Sequence, residues 1–171
     1  RGLGLELLTD AHDPAQLEQA WASLDDSEHA MPELAIHAAA RLMALHGDAA
    51  LARNYLLLIW ERTMQGGSSI SDTLRIKLIA ALELGMDSID APWLARIEAA
   101  QMARPRDANV QYLAGMACLS RQLWGKARQL LALSVLGLQD VDLNRKAWRA
   151  LAVLAEQRGD ETAAAEAYRK A

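Results

Sequence analysis

The fold is decided by the segment Trp148-Arg-Ala-Leu151, the pair Gly159-Asp160 and the run Ala164-Ala-Glu-Ala-Tyr168-Arg-Lys-Ala171. The first run places a bulky residue and a leucine on one helical face. The Gly-Asp pair marks a turn, and a small residue follows near the start of a second helix. The same roles recur in Gly115, Leu123-Trp124-Gly-Lys-Ala127, Leu131 and Ser134. The return of one pattern at Ala127 and again at Ala164 indicates stacked helix pairs.

This is the pattern of tetratricopeptide (TPR) repeats, whose usual unit of about 34 residues is slightly stretched here, within positions 137–142. A third copy begins near Pro32, turns at Gly47-Asp48 and opens its second helix around Ala52. The stretch between Ala52 and Ala127 leaves room for one more, divergent unit. We predict its two helices at about 72–83 and 91–103, with Trp93 near a position where a small residue is usual.

The sequence therefore predicts an all-α fold, a right-handed superhelical solenoid of TPR-like helix pairs. Boundaries are expected at Gly66-Gly67-Ser68-Ser69, at Gly85 and at Pro105, and N-caps at Ser71 and Asp107. Pro14 is expected in the first turn of another helix. The predicted parts are a partial N-terminal unit over 1–31, a repeat over 32–69, a divergent repeat over 70–106, a repeat over 107–143 and a truncated C-terminal repeat over 144–171.

The repeat positions divide by size. Small residues at Ala52, Ala127 and Ala164 should let paired helices approach closely. Bulky residues at Trp124, Leu131, Trp148 and Tyr168 should fill the space between pairs, while Gly115, Leu151 and Gly159 complete the pattern. If Trp124 and Trp148 are core residues, truncating either to Ala should cost about 3–5 kcal/mol.

Composition excludes several function classes. The formal charge of −4 and a pI near 5.6 offer no field for a phosphate backbone, so we expect no nucleic-acid partner. Residues 1–85 carry 6 Lys/Arg and 12 Asp/Glu, whereas residues 86–171 carry 12 and 10. No apolar run reaches the length of a membrane span, so this portion should be soluble. The chain starts at Arg1 without an initiator Met and stops at Ala171 within an expected helix, so we expect it to be part of a longer protein.

The sequence contains no recognisable catalytic constellation. Gly2-Leu-Gly4 and Gly66-Gly67 lack the residues that complete a phosphate-binding loop. The four histidines lack the spacing of a zinc protease site, and the single Cys118 maps to a helix-packing position. We therefore predict that the chain is not an enzyme and holds no metal or resident cofactor.

The concave groove of such an array is the predicted functional surface, because first-helix side chains line it. Several of these side chains are cationic, which suits an acidic peptide or the propionates of a porphyrin. His37 lies one turn before Arg41 and is a conceivable axial ligand of haem iron. The predicted lining residues are His37, Arg41, Arg75, Asn109, Tyr112, Met116, Lys146 and Arg149.

Three segments resemble the HemY proteins of Gram-negative bacteria. They are Arg121-Gln-Leu-Trp-Gly-Lys-Ala-Arg128 with Leu130, Leu131 and Ser134; Ile97-Glu-Ala-Ala-Gln101 with Arg104-Pro-Arg-Asp107; and Leu154-Ala-Glu156 with Gly159-Asp160 and Ala163-Ala164. The resemblance is specific over residues 97–168 and looser over residues 13–65. The unrelated flavin-dependent oxidase of the same name is not meant, since no dinucleotide-binding fingerprint is present.

The resemblance implies a protein anchored in the inner membrane by an N-terminal hydrophobic region, with this portion in water on the cytoplasmic side. It also implies a role in late haem and porphyrin metabolism, and it supplies no catalytic residues. Two functional hypotheses follow. The first is a non-enzymatic scaffold that binds proteins of the haem pathway. The alternative is a carrier or sensor that binds haem or porphyrin directly in the groove.

Overall fold

The computed structural model describes residues 2–66 and 70–171, and this part of the chain is all-helical, with no strand. One 3-10 turn, Met86–Ser88, accompanies the α-helices. The helices are α1 (Gly2–Asp10), α2 (Pro14–Ser23), α3 (Asp26–His29), α4 (Pro32–Ala44), α5 (Ala49–Met64), α6 (Asp72–Leu84), α7 (Ala91–Ala103), α8 (Ala108–Ser120), α9 (Trp124–Ser134), α10 (Val141–Gln157) and α11 (Glu161–Lys170).

Local capping chemistry accounts for the helix starts. The Ser71 hydroxyl accepts the Leu74 amide at 3.1 Å, and the Asp107 carboxylate accepts the Val110 amide at 3.2 Å. Both predicted N-caps are therefore confirmed. Helices α6 and α7 match their predicted ranges to within one residue. The predicted boundary at Gly66 follows α5, and its residues 67–69 lie outside the described part of the chain.

The chain divides into two compact units, Arg1–Ser88 and Ile89–Ala171. This division falls inside the predicted divergent repeat over 70–106, because α6 belongs to unit 1 and α7 to unit 2. The two helices expected to pair there are therefore assigned to different compact bodies.

Unit 1 is built around α4. Helices α1, α2, α5 and α6 all pack against it, and its residues Leu34, Ala38 and Leu42 are completely buried. The first residues of the chain, which carry no clear helical pattern, nevertheless form α1 with Leu8 in the core. The helix is held because its apolar side packs on α4.

A buried arginine secures the end of unit 1. Arg53 on α5 donates from Nη1 to the Gly85 carbonyl at 3.0 Å and from Nη2 to the Ser88 carbonyl at 3.1 Å. These bonds cap the carbonyl groups where α6 ends and the 3-10 turn follows. The sequence does not predict this contact, because both partners are backbone atoms that only tertiary packing brings to Arg53.

In unit 2 each helix packs against the next, from α7 to α11. Helices α8 and α9 approach closely at Gly115, where a Cβ atom would lie 2.8 Å from Leu131 Cγ. The predicted small positions Ala52, Ala127 and Ala164 are buried in their respective units. Gly159 has a φ of 79° after α10, and Asp160 then caps α11, which confirms the predicted turn.

Two predicted core residues are on the surface instead. Trp124 and Tyr168 are both 44% exposed, so the prediction that they fill the space between pairs was wrong. Trp124 is the first residue of α9, and the Tyr168 hydroxyl bonds to Glu156 at the surface. Trp148 is half-buried, with the Lys170 ammonium 4.5 Å from its ring centroid. Leu131 is buried as predicted, and Leu151 is half-buried.

The close contact at Gly115 gives a stability test. Gly115→Ala should lower the free energy of unfolding by about 1–3 kcal/mol, because the added methyl group overlaps Leu131. Gly125, the second residue of α9, is the matched control, since a Cβ atom there meets nothing within 4 Å. Gly125→Ala should be neutral or stabilising by up to about 1 kcal/mol. Urea unfolding followed by circular dichroism measures both, and equal stability of the two variants would contradict the packing at Gly115.

The tryptophans of unit 2 give a second test. Trp93 is 5% exposed, so Trp93→Ala should cost about 3–5 kcal/mol of unfolding free energy. Trp124→Ala should cost no more than about 1 kcal/mol, because much of that side chain already lies in water. Thermal and urea unfolding of the two variants compares their losses of unfolding free energy. An equal loss would contradict the exposed position of Trp124.

Candidate functional site: surface grooves of the two units

The predicted groove residues of unit 1 make contacts within the chain. His37 Nε2 lies 2.9 Å from Thr9 Oγ1, and Arg41 Nη2 donates to the Ala11 carbonyl at 2.7 Å. The Thr9 hydroxyl also lies 2.7 Å from the Leu5 carbonyl, which can accept its single hydrogen. Nε2 of His37 is thus already engaged in a hydrogen bond within the chain. Arg75 on α6 is half-buried, with its Nε atom buried and without a hydrogen-bond partner.

The environment of His37 disfavours its charged form. Burial lowers the pKa of His37 below its usual 6.5, and the nearby Arg41 guanidinium lowers it further. The neutral ring then holds α1 against α4 through the Thr9 contact. Because Nε2 is bonded to Thr9, the suggestion of His37 as an axial haem ligand gains no support from that atom.

The predicted groove residues of unit 2 do not share one environment. Tyr112 is fully buried, so its predicted place on an accessible groove surface was wrong. It lies on the side of α8 that faces the interior, where a large ring gains most from burial. Asn109 and Met116 are half-buried, whereas Lys146 and Arg149 are exposed on α10. The eight predicted residues thus belong partly to unit 1 and partly to unit 2.

A groove that the sequence did not predict lies between α9, α10 and α11. Its larger cavity has a volume of about 510 Å³, and an adjoining cavity of about 380 Å³ shares Arg128 and Arg158 with it. We call this surface the α9–α11 groove. Ala132, Leu151, Ala155, Ala163 and Ala167 form most of its apolar lining, Trp124 and Trp148 border it, and Arg128, Arg158, Lys170 and Glu166 supply its charges.

Unit 1 has a cavity of similar size with a different lining. About 530 Å³ lie between α2, α3 and α5, and three rings border the space. Trp21 stacks on His29 with centroids 4.2 Å apart and on Tyr55 with centroids 4.5 Å apart. Burial, followed by the charge of Glu18, raises the pKa of Tyr55 to about 12. This cavity has one carboxylate and no Lys or Arg among its described lining residues.

Other candidate chemistry finds little support in the described ranges 2–66 and 70–171. No group of three or more His, Cys, Asp or Glu residues there is placed to bind a metal ion. Cys118 is buried as predicted; burial raises the pKa of its thiol, Lys126 lowers it and Glu98 raises it. None of the described helices combines the length and apolar character needed to cross a membrane.

One sequence signal points to the α9–α11 groove. Residues 108–139 contain Arg121, Lys126 and Arg128 but no Asp or Glu, so α9 carries cations alone. Arg158 is distant from Arg128 in sequence, and only the packing of α9, α10 and α11 brings both to one groove. Comparison of the chain with family models, with curated proteins and with solved structures found no match.

The state of His37 can be measured directly. An NMR titration of the intact chain should place its midpoint below 6.5, and Arg41→Gln should move the midpoint upward by removing a neighbouring charge. Because the unfolded state binds the proton more readily, the contribution of His37 to stability is present above pH 6.5. It is lost as the pH falls from 6.5 through the lowered folded pKa. A midpoint at or above 6.5 would contradict the burial of His37 and the effect of the Arg41 charge on it.

Proposed function

We propose that the chain is a non-enzymatic scaffold, a right-handed superhelical solenoid of TPR-like helix pairs that binds other proteins. The observation that carries this proposal is that paired helices pack around small residues. Helices α8 and α9 meet at Gly115 and Leu131, α10 packs on α11, and Ala127 and Ala164 are buried in these pairs. Ala127 and Ala164, which are 37 residues apart in sequence, are thus both buried in successive helix pairs, as an array of repeats would require. Arrays built this way expose side chains in grooves along their length, which suits protein docking.

The proposed partners are proteins of late haem and porphyrin metabolism at the inner membrane. The support is the resemblance of residues 97–168 to HemY proteins, which covers most of unit 2. A surface available for docking in that unit includes Lys146, Arg149 and Val153, spaced by three and four residues on one side of α10 and all exposed. We call these three residues the α10 face.

Direct binding of haem or porphyrin remains the second candidate. Its support is the α9–α11 groove, where an apolar lining meets Arg128, Arg158 and Lys170, as the carboxylates of a tetrapyrrole require. His37 and Arg41, the anchors expected from sequence, already bond to Thr9 and Ala11. The first test therefore addresses protein partners, and a porphyrin titration is included below.

The scaffold proposal predicts specific cross-links from the α10 face. A photo-reactive amino acid at Val153, in cells that synthesise haem, should capture the same enzymes of porphyrin metabolism in repeated experiments. The double variant Lys146→Glu/Arg149→Glu should reduce that yield several-fold, because it reverses two exposed charges beside the probe. Arg62→Glu/Lys77→Glu, which reverses two exposed charges in unit 1, should leave the yield unchanged.

Mass spectrometry of the cross-linked species decides the outcome. Recovery of porphyrin-metabolising enzymes that depends on Lys146 and Arg149 supports the scaffold. If such enzymes are never captured while the labelled protein is folded and abundant, the proposed partners are wrong.

A further inference from the structure

The α9–α11 groove has the dimensions of a helix-docking site. Helix α9 has 11 residues, which corresponds to a length of about 16 Å, or three helical turns. The larger cavity of the groove, about 510 Å³, lies within the usual size range of ligand pockets, about 300–1,000 Å³. A groove between two helices accepts the side-chain ridge of a third helix.

The lining allows a partner backbone to come close. Ala132 on α9 and Ala163 on α11 present methyl groups to the groove, and the buried Ala155 and Ala167 also line it. Trp124 borders the adjoining cavity, and Trp148 borders the larger one beneath Lys170. Aromatic rings around a small-residue surface commonly supply the anchoring contacts of a protein interface.

The charged side chains of the groove favour a negatively charged partner. Arg128, Arg158 and Lys170 line the groove with Glu166 as their only carboxylate counterpart in the described lining. Lys170 lies 3.5 Å from Glu166, and Arg158 lies 3.6 Å from Asp160, in exposed ion pairs. Arg128 has no ion-pair partner among the residues that the structure describes. Its guanidinium sits at the junction of the two cavities, where an incoming carboxylate can bind it in bidentate fashion.

The cavity of unit 1 provides an internal comparison. It also lies between helices and has a similar volume, but Glu18 is the only Asp, Glu, Lys or Arg in its described lining and a stack of three rings borders it. The two interhelical cavities thus differ in charge, since the cavity of unit 1 has no Lys or Arg in its described lining. The charge of the α9–α11 groove is a property of that groove alone among the cavities described above.

We propose that the α9–α11 groove binds an acidic amphipathic helix of a partner protein, with small apolar residues facing the alanines and carboxylates paired with Arg128 and Arg158. This inference rests on the proposed scaffold function and adds the kind of segment that is bound and where. A helix is favoured over a tetrapyrrole because no His, Cys, Met or Tyr is among the described residues lining either cavity, so no side chain there is placed to ligate iron.

The test uses a fluorescent peptide and the intact chain. The probe is a helical peptide of about three to four turns with Leu and Ala on one face and Glu on both flanks. Fluorescence anisotropy should show saturable 1:1 binding that weakens with added salt. A control peptide with Lys in place of each Glu should bind at least tenfold more weakly. Equal binding of the two peptides would overturn the proposal.

Three variants locate the site. Arg128→Glu should weaken binding of the acidic peptide about tenfold, since it replaces an attraction by a repulsion. Lys126→Glu makes the same charge change on the same helix but outside the lining, and should change affinity less than twofold. Ala132→Trp fills the groove without a charge change and should abolish binding, while circular dichroism shows the helices intact. A similar loss for Lys126→Glu and Arg128→Glu, or full binding by Ala132→Trp, would overturn the assignment.

Other occupants give distinct results. If the peptide does not bind and a metal-free porphyrin shows a saturable absorption shift that Ala132→Trp removes, the groove holds a tetrapyrrole and the helix proposal fails. If the peptide does not bind and sedimentation shows self-association that Arg128→Glu abolishes, a second copy is the occupant and the proposal again fails. Peptide binding alone supports the groove assignment even if cross-linking from the α10 face recovers no haem enzyme, so the two proposals can fail separately.

Discussion

The absence of a side chain at Gly115 is the constraint on which unit 2 depends. Leu131 occupies the space where a Cβ atom would lie, so the close packing of α9 on α8 requires glycine at this position. Because α10 packs on α9 and α11 packs on α10, the position of α9 also affects where α10 and α11 lie. The groove that holds Arg128 and Arg158 is formed by the same three helices, and its shape depends on that contact.

The sequence predicted the helices well because their signals are local. N-cap residues such as Ser71 and Asp107 bond to amides three residues ahead, and the turn at Gly159 needs a positive φ at one residue. The small residues Ala127 and Ala164 were also correctly predicted to be buried, because an alanine methyl group fits between closely packed helices. Such features require no knowledge of distant parts of the chain.

The surfaces were predicted less well, because a helical face is defined by angles that the sequence does not fix. Successive residues differ by about 100° around a helix, so a small error in the assumed orientation exchanges a buried side chain for an exposed one. Tyr112 was predicted to be accessible and is buried, whereas Trp124 was predicted to be buried and is exposed. Arg53 and the pair Arg128 and Arg158 were missed for a different reason, since their surroundings are fixed only by tertiary packing. The division at Ser88 likewise has no clear local signal beyond Gly85.

The contacts that close unit 1 join parts of the chain that are fairly close in sequence. Arg41 bonds to the carbonyl of Ala11, and Arg53 bonds to that of Ser88. Closing loops over sequence separations of 30 and 35 residues carries a modest entropic cost. Unit 1 contains all the partners of Arg53 described above. A ribosome can thus release a segment able to form the hydrogen bonds of Arg53 before the helices of unit 2 have been synthesised.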